Sequence, residues 1–307
     1  MSRLGIATEL HKPARRNYRR RKVVTRGLNE LFQADLVEMI PYARSNKGYK
    51  YMLTVIDVYS KYAWAIPVKT KKSRDVALAM AKVFLSGRIP RHLHTDQGKE
   101  FYNTEFRALM NKHGINHYST FSNVKASVVE RFNRTLKTKM WTKFTLNGNY
   151  KWLILLPRLL REYNTSVHRS IGMKPADVVD DSLLRTKYAD VNAKGGDERK
   201  LRAKVGDTVR ISRQKGVFEK GFTSNWSPEL FRVAHVRETV PRTYYLQDMD
   251  GKDIRGGFYA EEILPTRYPD TYLVERVLKR KKDRLYVKWL GFPARFNSWV
   301  PVEDLTT

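Results

Sequence analysis

Cysteine is absent from this chain of 307 residues. That excludes disulfide bridges and any zinc finger built on thiolate ligands. Seven histidines are present without a ligand-like cluster. His92 and His94 are expected to pack or face solvent, and no bound zinc is expected. No run of about 18 apolar residues occurs, so no membrane-spanning helix and no membrane partner are expected. No apolar signal segment opens the chain. Acid is scarce: 31 Asp and Glu stand against 59 Lys and Arg, a formal net charge of +28. Such an excess points to a polyanionic partner, and nucleic acid before a membrane surface. The membrane reading is the weaker because no long basic amphipathic helix with an aromatic face is found. Internal repeats are also missing.

What is present is enough to fold. Hydrophobic residues make up 41% of the chain, and the length suits two or three domains. Residues 1–28 form a basic arm. Its segment "HKPARRNYRRRKVVTR" carries eight basic residues and no acid. Arg19, Arg20, Arg21 and Lys22 lead the candidates for phosphate contact, and a nuclear-import signal or a solvated tail are the other readings.

Residues 29–180 read as an α/β domain. "LFQADLVEM" and "YKYMLTVIDVYSKYAWAIPV" give three strands in succession. "SRDVALAMAKVFLSG" is a helix capped by Ser73 and closed by Gly87. "RHLHTD" and "INHYST" are short strands on either side of a helix capped by Asn103. "NVKASVVERFNRTLKTKMWTKF" is a long helix. "NYKWLILLPRLLREYN" is another, with a kink expected at Pro157. The order describes a mixed sheet with helices. Residues 181–204 are polar and read as a linker. Residues 205–265 read as a small all-β barrel. In residues 266–307, two strands are followed by "NSWVPVEDL", read as the start of a short helix.

Three acids stand out. Asp35 lies inside an apolar strand, where a lone carboxylate costs several kcal/mol unless it is paired or holds a metal. Asp96 ends a strand, the usual place for a site in such sheets. Glu130 borders the helical stripe of Val129, Phe132, Leu136 and Met140, with Arg134 and Lys137 on its own face. Converging carboxylates would hold hard cations, Mg²⁺ or Mn²⁺, two of which clamp an in-line phosphoryl transfer. Arg134 and Lys137 would hold DNA phosphates alongside. The competing readings are a turn residue for Asp96 and a solvated one for Glu130. Asp57, also in an apolar run, is read as structural.

Together Asp35, "HTDQGKEF" and "SVVERFNRTLK" resemble the DDE core of retroviral-type integrases, with Glu130 standing 34 positions after Asp96. The resemblance runs on through "YNTSVHRSIGMKPADV". "KVGDTVRISRQKGVFEKGFTSNWSPELFRV" is similar to integrases of Polinton (Maverick) transposons, and the tail from Tyr272 to Leu305 resembles a chromodomain. It implies an RNase H-like five-stranded mixed sheet, an SH3-like barrel at 205–265 and a chromodomain at 266–307. It also implies Asp35, Asp96 and Glu130 as ligands of two Mg²⁺ or Mn²⁺ ions, 3′-end trimming, and strand transfer into target DNA. Element-end and target duplexes would be the partners, a homo-oligomer the working form, the nucleus the location, and a nucleosome or histone tail a further partner. Tyr272, Trp289 and Phe292 fall at methyl-lysine cage positions, with packing as the alternative; Trp299 is assigned to the core. Arg295 and Val300 stand where histone-reading chromodomains carry acids. Two departures are Gln97, where the family often has Asn, and the lack of Cys for the family's zinc domain. A catalytically silent chromatin- or DNA-binding protein, and a metal nuclease that cuts without joining, are the rival functions.

Overall fold

A computed structural model describes residues 3–303, apart from 16, 19, 21, 22, 24, 120–125, 186, 187, 189–201, 214 and 216–218. The chain divides into two compact units, residues 23–194 and residues 1–22 with 195–307.

The larger unit is built on β1 (Leu31–Glu38), β2 (Tyr51–Asp57), β3 (Ala63–Val68), β4 (His92–Thr95) and β5 (Asn116–Ser119), in the sheet order β3-β2-β1-β4-β5. β1, β2 and β3 pair antiparallel, whereas β4 and β5 run parallel to β1. Side chains alternate across a strand, and β1 uses both faces. Phe32, Ala34 and Leu36 enter a core with α2 (Ser73–Phe84) and α3 (Thr104–Lys112). Val37 enters a second core with α4 (Ser127–Asn147) and α5 (Trp152–Thr165). The α4 stripe of Val129, Phe132, Leu136, Met140 and Phe144 is buried there.

Local signals explain most boundaries. Asn103 caps α3 by accepting from the Phe106 N–H at 2.8 Å, and Gly87 and Gly114 take positive φ just past α2 and α3. Ser73 is the first residue of α2 and does not cap it. Asp75 sits in that first turn, where a negative charge suits the helix dipole, and accepts from Thr70 Oγ1 at 2.6 Å. α5 runs from Trp152 to Thr165 through Pro157. Its buried face, Trp152, Leu156, Leu159 and Tyr163, packs in the second core and outweighs the missing N–H. Ser182–Arg185, placed in the linker by composition, is helical, and Leu184 is buried with Tyr59, Ile171 and Val178.

The other unit holds β6 (Thr208–Ile211), β7 (Phe231–Arg237), β8 (Thr243–Gln247) and β9 (Ile263–Pro265), an antiparallel sheet in the order β8-β7-β6-β9. β10 (Val274–Arg280), β11 (Arg284–Trp289) and β12 (Ser298–Pro301) form a second antiparallel sheet. Of the stretch read as the start of a terminal helix, Ser298–Pro301 is strand β12, in which alternating Trp299 and Val300 pair with Tyr286 and Leu285, and residues 304 and 305 lie outside the described residues. Trp299 is not core. It is 37% exposed, tilted against Tyr286 at 5.3 Å between ring centroids, with the Lys281 ammonium 5.0 Å from its ring centroid. Helix α1 (Arg3–His11) belongs to this unit. Ile6 and Leu10 pack with Trp226, whose indole N–H donates to the Lys12 carbonyl at 2.9 Å.

Candidate active site

The site forms where β1 passes beside α4. Gln33, Asp35 and Val37 share the strand face that meets this helix, by the two-residue period. Gln33 is wholly buried, and its side-chain oxygen accepts from the Val128 and Val129 N–H groups at 2.9 and 3.2 Å, meeting donors that a helix start leaves orphaned. Its amide nitrogen lies 3.3 Å from His94 Nδ1 on β4. One amide thereby joins β1, β4 and the start of α4. One turn further, Asn133 Nδ2 donates to Asp35 Oδ2 at 2.7 Å, while Asp35 Oδ1 accepts from the Leu36 N–H at 2.9 Å.

Asp96 follows β4 directly, and its Oδ1 accepts from the Gly98 N–H at 3.1 Å, which shapes the turn. Glu130 stands exposed in the first turn of α4. An open groove of about 520 Å³ is lined by Asp35, Glu130, Asn133, Arg134 and Lys137, with Glu38 at its edge. Burial pushes the Asp35 carboxyl above the usual carboxylate range, and the negative fields of Asp96 and Glu130 push it the same way. The Leu36 N–H and the Lys137 ammonium oppose the shift. The carboxylates of Asp96 and Glu130 are thus near enough to act on Asp35. Among the described residues, though, no three His, Asp or Glu side chains stand close enough to hold an ion as they are placed. The donor chemistry fits a hard divalent cation: carboxylate oxygens, one of them destabilised by its like-charged neighbours.

His94 on β4 and His117 on β5 are both shifted toward the neutral ring. Burial lowers the His94 pKa, and burial together with His94 takes His117 down to about 4. His117 Nε2 lies 2.9 Å from Thr95 Oγ1. Asp57, the rival buried acid, is fully enclosed and accepts from the N–H groups of Tyr59 and Ser60, both at 3.1 Å, and from Ser60 Oγ at 2.5 Å. It closes the β2–β3 turn and stays structural.

The remaining candidates lie in the other unit. Arg20 is exposed, with its guanidinium 5.1 Å from the Tyr18 ring centroid; Arg19, Arg21 and Lys22 fall outside the described residues. Tyr272 meets Trp289 and Phe292 edge to face, at 5.9 and 5.2 Å between centroids, all three half-buried. Sequence reasoning missed Gln33 and Asn133. Their signal was periodicity: Gln33 precedes Asp35 by two on a strand, and Asn133 follows Glu130 by one helical turn inside an apolar stripe.

Known proteins resemble this chain in sequence and in fold. Residues 26–121 match the family model described as Integrase core domain. A transposon-derived protein of Caenorhabditis elegans is 35% identical over 194 residues, which span 63% of this chain and 65% of that protein. The Gag-Pol polyprotein of Feline leukemia virus is 32% identical over 133 residues, 42% of this chain and 8% of the polyprotein. The chain therefore spans less than two thirds of the curated relatives it matches. A chain from the cryoEM structure of a simian T-cell lymphotropic virus intasome, in complex with PP2A regulatory subunit B56 gamma, aligns over 82% of this chain and 83% of its own. Its TM-score is 0.57 at 16% identity, which shows a shared fold. The HTLV-2 integrase catalytic core, solved in complex with magnesium, aligns over 52% of this chain and 99% of its own, at 20% identity and a TM-score of 0.43. The mixed five-stranded sheet with its helices thus matches the fold of the intasome chain, and residues 26–121 are similar to the integrase core domain, with a transposon-derived protein and retroviral polyproteins among the relatives.

Proposed function

We propose that this chain is the integrase of a transposable element: a divalent-metal-dependent polynucleotidyl transferase that trims 3′ ends and joins the freed 3′-hydroxyl to target DNA. The observation that carries the reading is Asp35, a carboxylate pressed by burial and by two like charges beside a groove edged with cations. Asp35, Asp96 and Glu130 would be the ligands. Two Mg²⁺ or Mn²⁺ ions bound there would activate the attacking oxygen and stabilise the leaving one. The chain's own residues do the rest. Asn133 and the Leu36 N–H fix the Asp35 carboxylate, Gln33 fixes the start of α4 and with it Glu130, and Arg134 and Lys137 neutralise the phosphates beside the scissile bond.

The finer assignments rest on the motifs. The stretch from Lys204 to Val233 supports a Polinton-type element and an SH3-like reading of the four-stranded sheet. The tail supports a chromodomain, in which Tyr272, Trp289 and Phe292 would receive a methyl-ammonium, because ring faces attract a poorly hydrated cation. Titration of the full chain with methylated and unmethylated histone-tail peptides tests that cage. Equal binding, unchanged in Trp289→Ala, would leave the rings as packing. Joining two ends calls for a homo-oligomer, and a DNA target places the work in the nucleus. No zinc is required on this reading, and stoichiometric zinc in the purified protein would overturn that.

The deciding assay incubates the full chain with Mn²⁺ and labelled element-end duplex. Shortened and joined products, both lost in Asp35→Asn, are expected. Shortened products alone would leave a nuclease that cuts without joining. No product, with DNA binding intact, would leave a silent DNA-binding protein.

A further inference from the structure

Within the unit that carries both small sheets lies a pocket of about 210 Å³. It is smaller than the roughly 300–1,000 Å³ that houses a whole small molecule, and has room for one side chain. Phe231 walls it from the four-stranded sheet, Ile254 from the connection between β8 and β9, and Phe292 and Phe296 from the tail. Its wall is tightly packed: a Cβ on Gly291 would lie 2.5 Å from Pro228 Cγ and 3.2 Å from the Glu229 nitrogen.

The charge of this pocket runs against that of the chain. Three acids line it, Glu229, Asp248 and Asp250, with Arg295 the one cation among its described lining residues. Two of the acids are committed. Asp248 Oδ1 accepts from the Asp250 and Lys252 N–H groups, and Asp250 pairs with Arg295 at 2.5 Å. The Glu229 carbonyl accepts from Ser227 Oγ at 2.9 Å, but its carboxylate has no hydrogen-bond or ion-pair partner among the described residues. Arg295 also shows which group the walls accept, since its guanidinium lies 4.9 Å from the Phe296 ring centroid while it holds Asp250. A planar guanidinium satisfies both a carboxylate and a ring face.

We infer that this pocket binds an arginine side chain of a basic peptide from a partner protein, with Glu229 pairing the guanidinium and Phe292 and Phe296 flanking it. DNA is the wrong occupant, because three carboxylates would face its phosphates. The inference does not depend on strand-transfer activity.

The test titrates the full chain, by NMR or fluorescence, with a short peptide bearing one central arginine and with its citrulline counterpart. Citrulline keeps the shape and loses the charge. The salt is set near 0.15 M to screen the chain's overall repulsion. The arginine peptide is expected to bind at least about tenfold more tightly. That preference should vanish in Glu229→Gln, with the melting temperature unchanged. Equal binding of the two peptides, or a preference that survives Glu229→Gln, would overturn the inference. Should Glu229→Gln fail to fold, Phe296→Leu serves instead: a weakened arginine preference supports the site, and an unaltered one overturns it.

Discussion

A buried amide, Gln33, joins the three elements that present Asp35, Asp96 and Glu130. Replacing it with Leu leaves the Val128 and Val129 N–H groups without their acceptor. An unsatisfied buried donor costs about 1–3 kcal/mol, so Gln33→Leu should lower stability to denaturant by about 2 kcal/mol or more. Strand transfer should fall with it, while DNA affinity stays. Undiminished stability would show that other contacts hold the start of α4. His117 makes a second prediction at this scale. Its pKa, lowered to about 4 by burial and by His94, lies below the ordinary value near 6.5. The folded state therefore prefers the neutral ring, and protons bind the unfolded chain first. Stability is complete above about pH 6.5 and is lost as pH falls from there toward 4, by at most about 3 kcal/mol. Melting temperatures taken across that range should drop less steeply in His117→Asn.

Among the elements, helix α1 departs furthest from its sequence reading. Residues 1–28 read as an arm, yet Glu9 is 1% exposed and its Oε1 receives Arg210 Nε at 2.8 Å and Thr266 Oγ1 at 2.6 Å. Burial alone would push the Glu9 carboxyl up; the bonds from Thr266, Arg210 and the Arg267 N–H overcome it and leave the group below its usual range. Glu9→Ala strands the Arg210 guanidinium, which is equally buried, and losing one partner of a buried pair costs roughly 3–5 kcal/mol. Hydrogen exchange at Thr208–Ile211 should accelerate accordingly, and protection as in the parent chain would show that α1 is dispensable to β6. The pair was illegible because its members stand 201 positions apart and neither looks unusual alone. The strands that carry the candidate acids were legible for the opposite reason. An acid inside β1 and an acid at the end of β4 violate local patterning, and such violations mark sites. Gln33 and Asn133 break no pattern, since a lone amide is ordinary until its partners are known. β12 was misread because "NSWVPVEDL" offers a capping residue and acids, while its pairing with β11 is a tertiary fact.

Across the whole molecule the charge of +28 makes binding to DNA of any sequence unsurprising, so affinity alone cannot locate the working surface. Salt dependence can. Each phosphate neutralised by a side chain releases counterions and adds about 0.9 to the slope of log K against log salt for duplex DNA. Arg134 and Lys137 line the groove beside Asp35 and Glu130. Arg134→Ala and Lys137→Ala should each flatten the slope by about one unit, weakening binding alike for every sequence, as a phosphate contact must. Arg158 is a fit control. It is a cation of the same unit, exposed on α5 and spent on Glu162 four residues on, at 2.8 Å. An exposed pair of this kind contributes little, and Arg158→Ala should leave the slope within error of the parent. Equal flattening in all three variants would mean that DNA sees net charge and no groove; flattening in Arg134→Ala and Lys137→Ala alone would place the duplex along α4, next to the three acids.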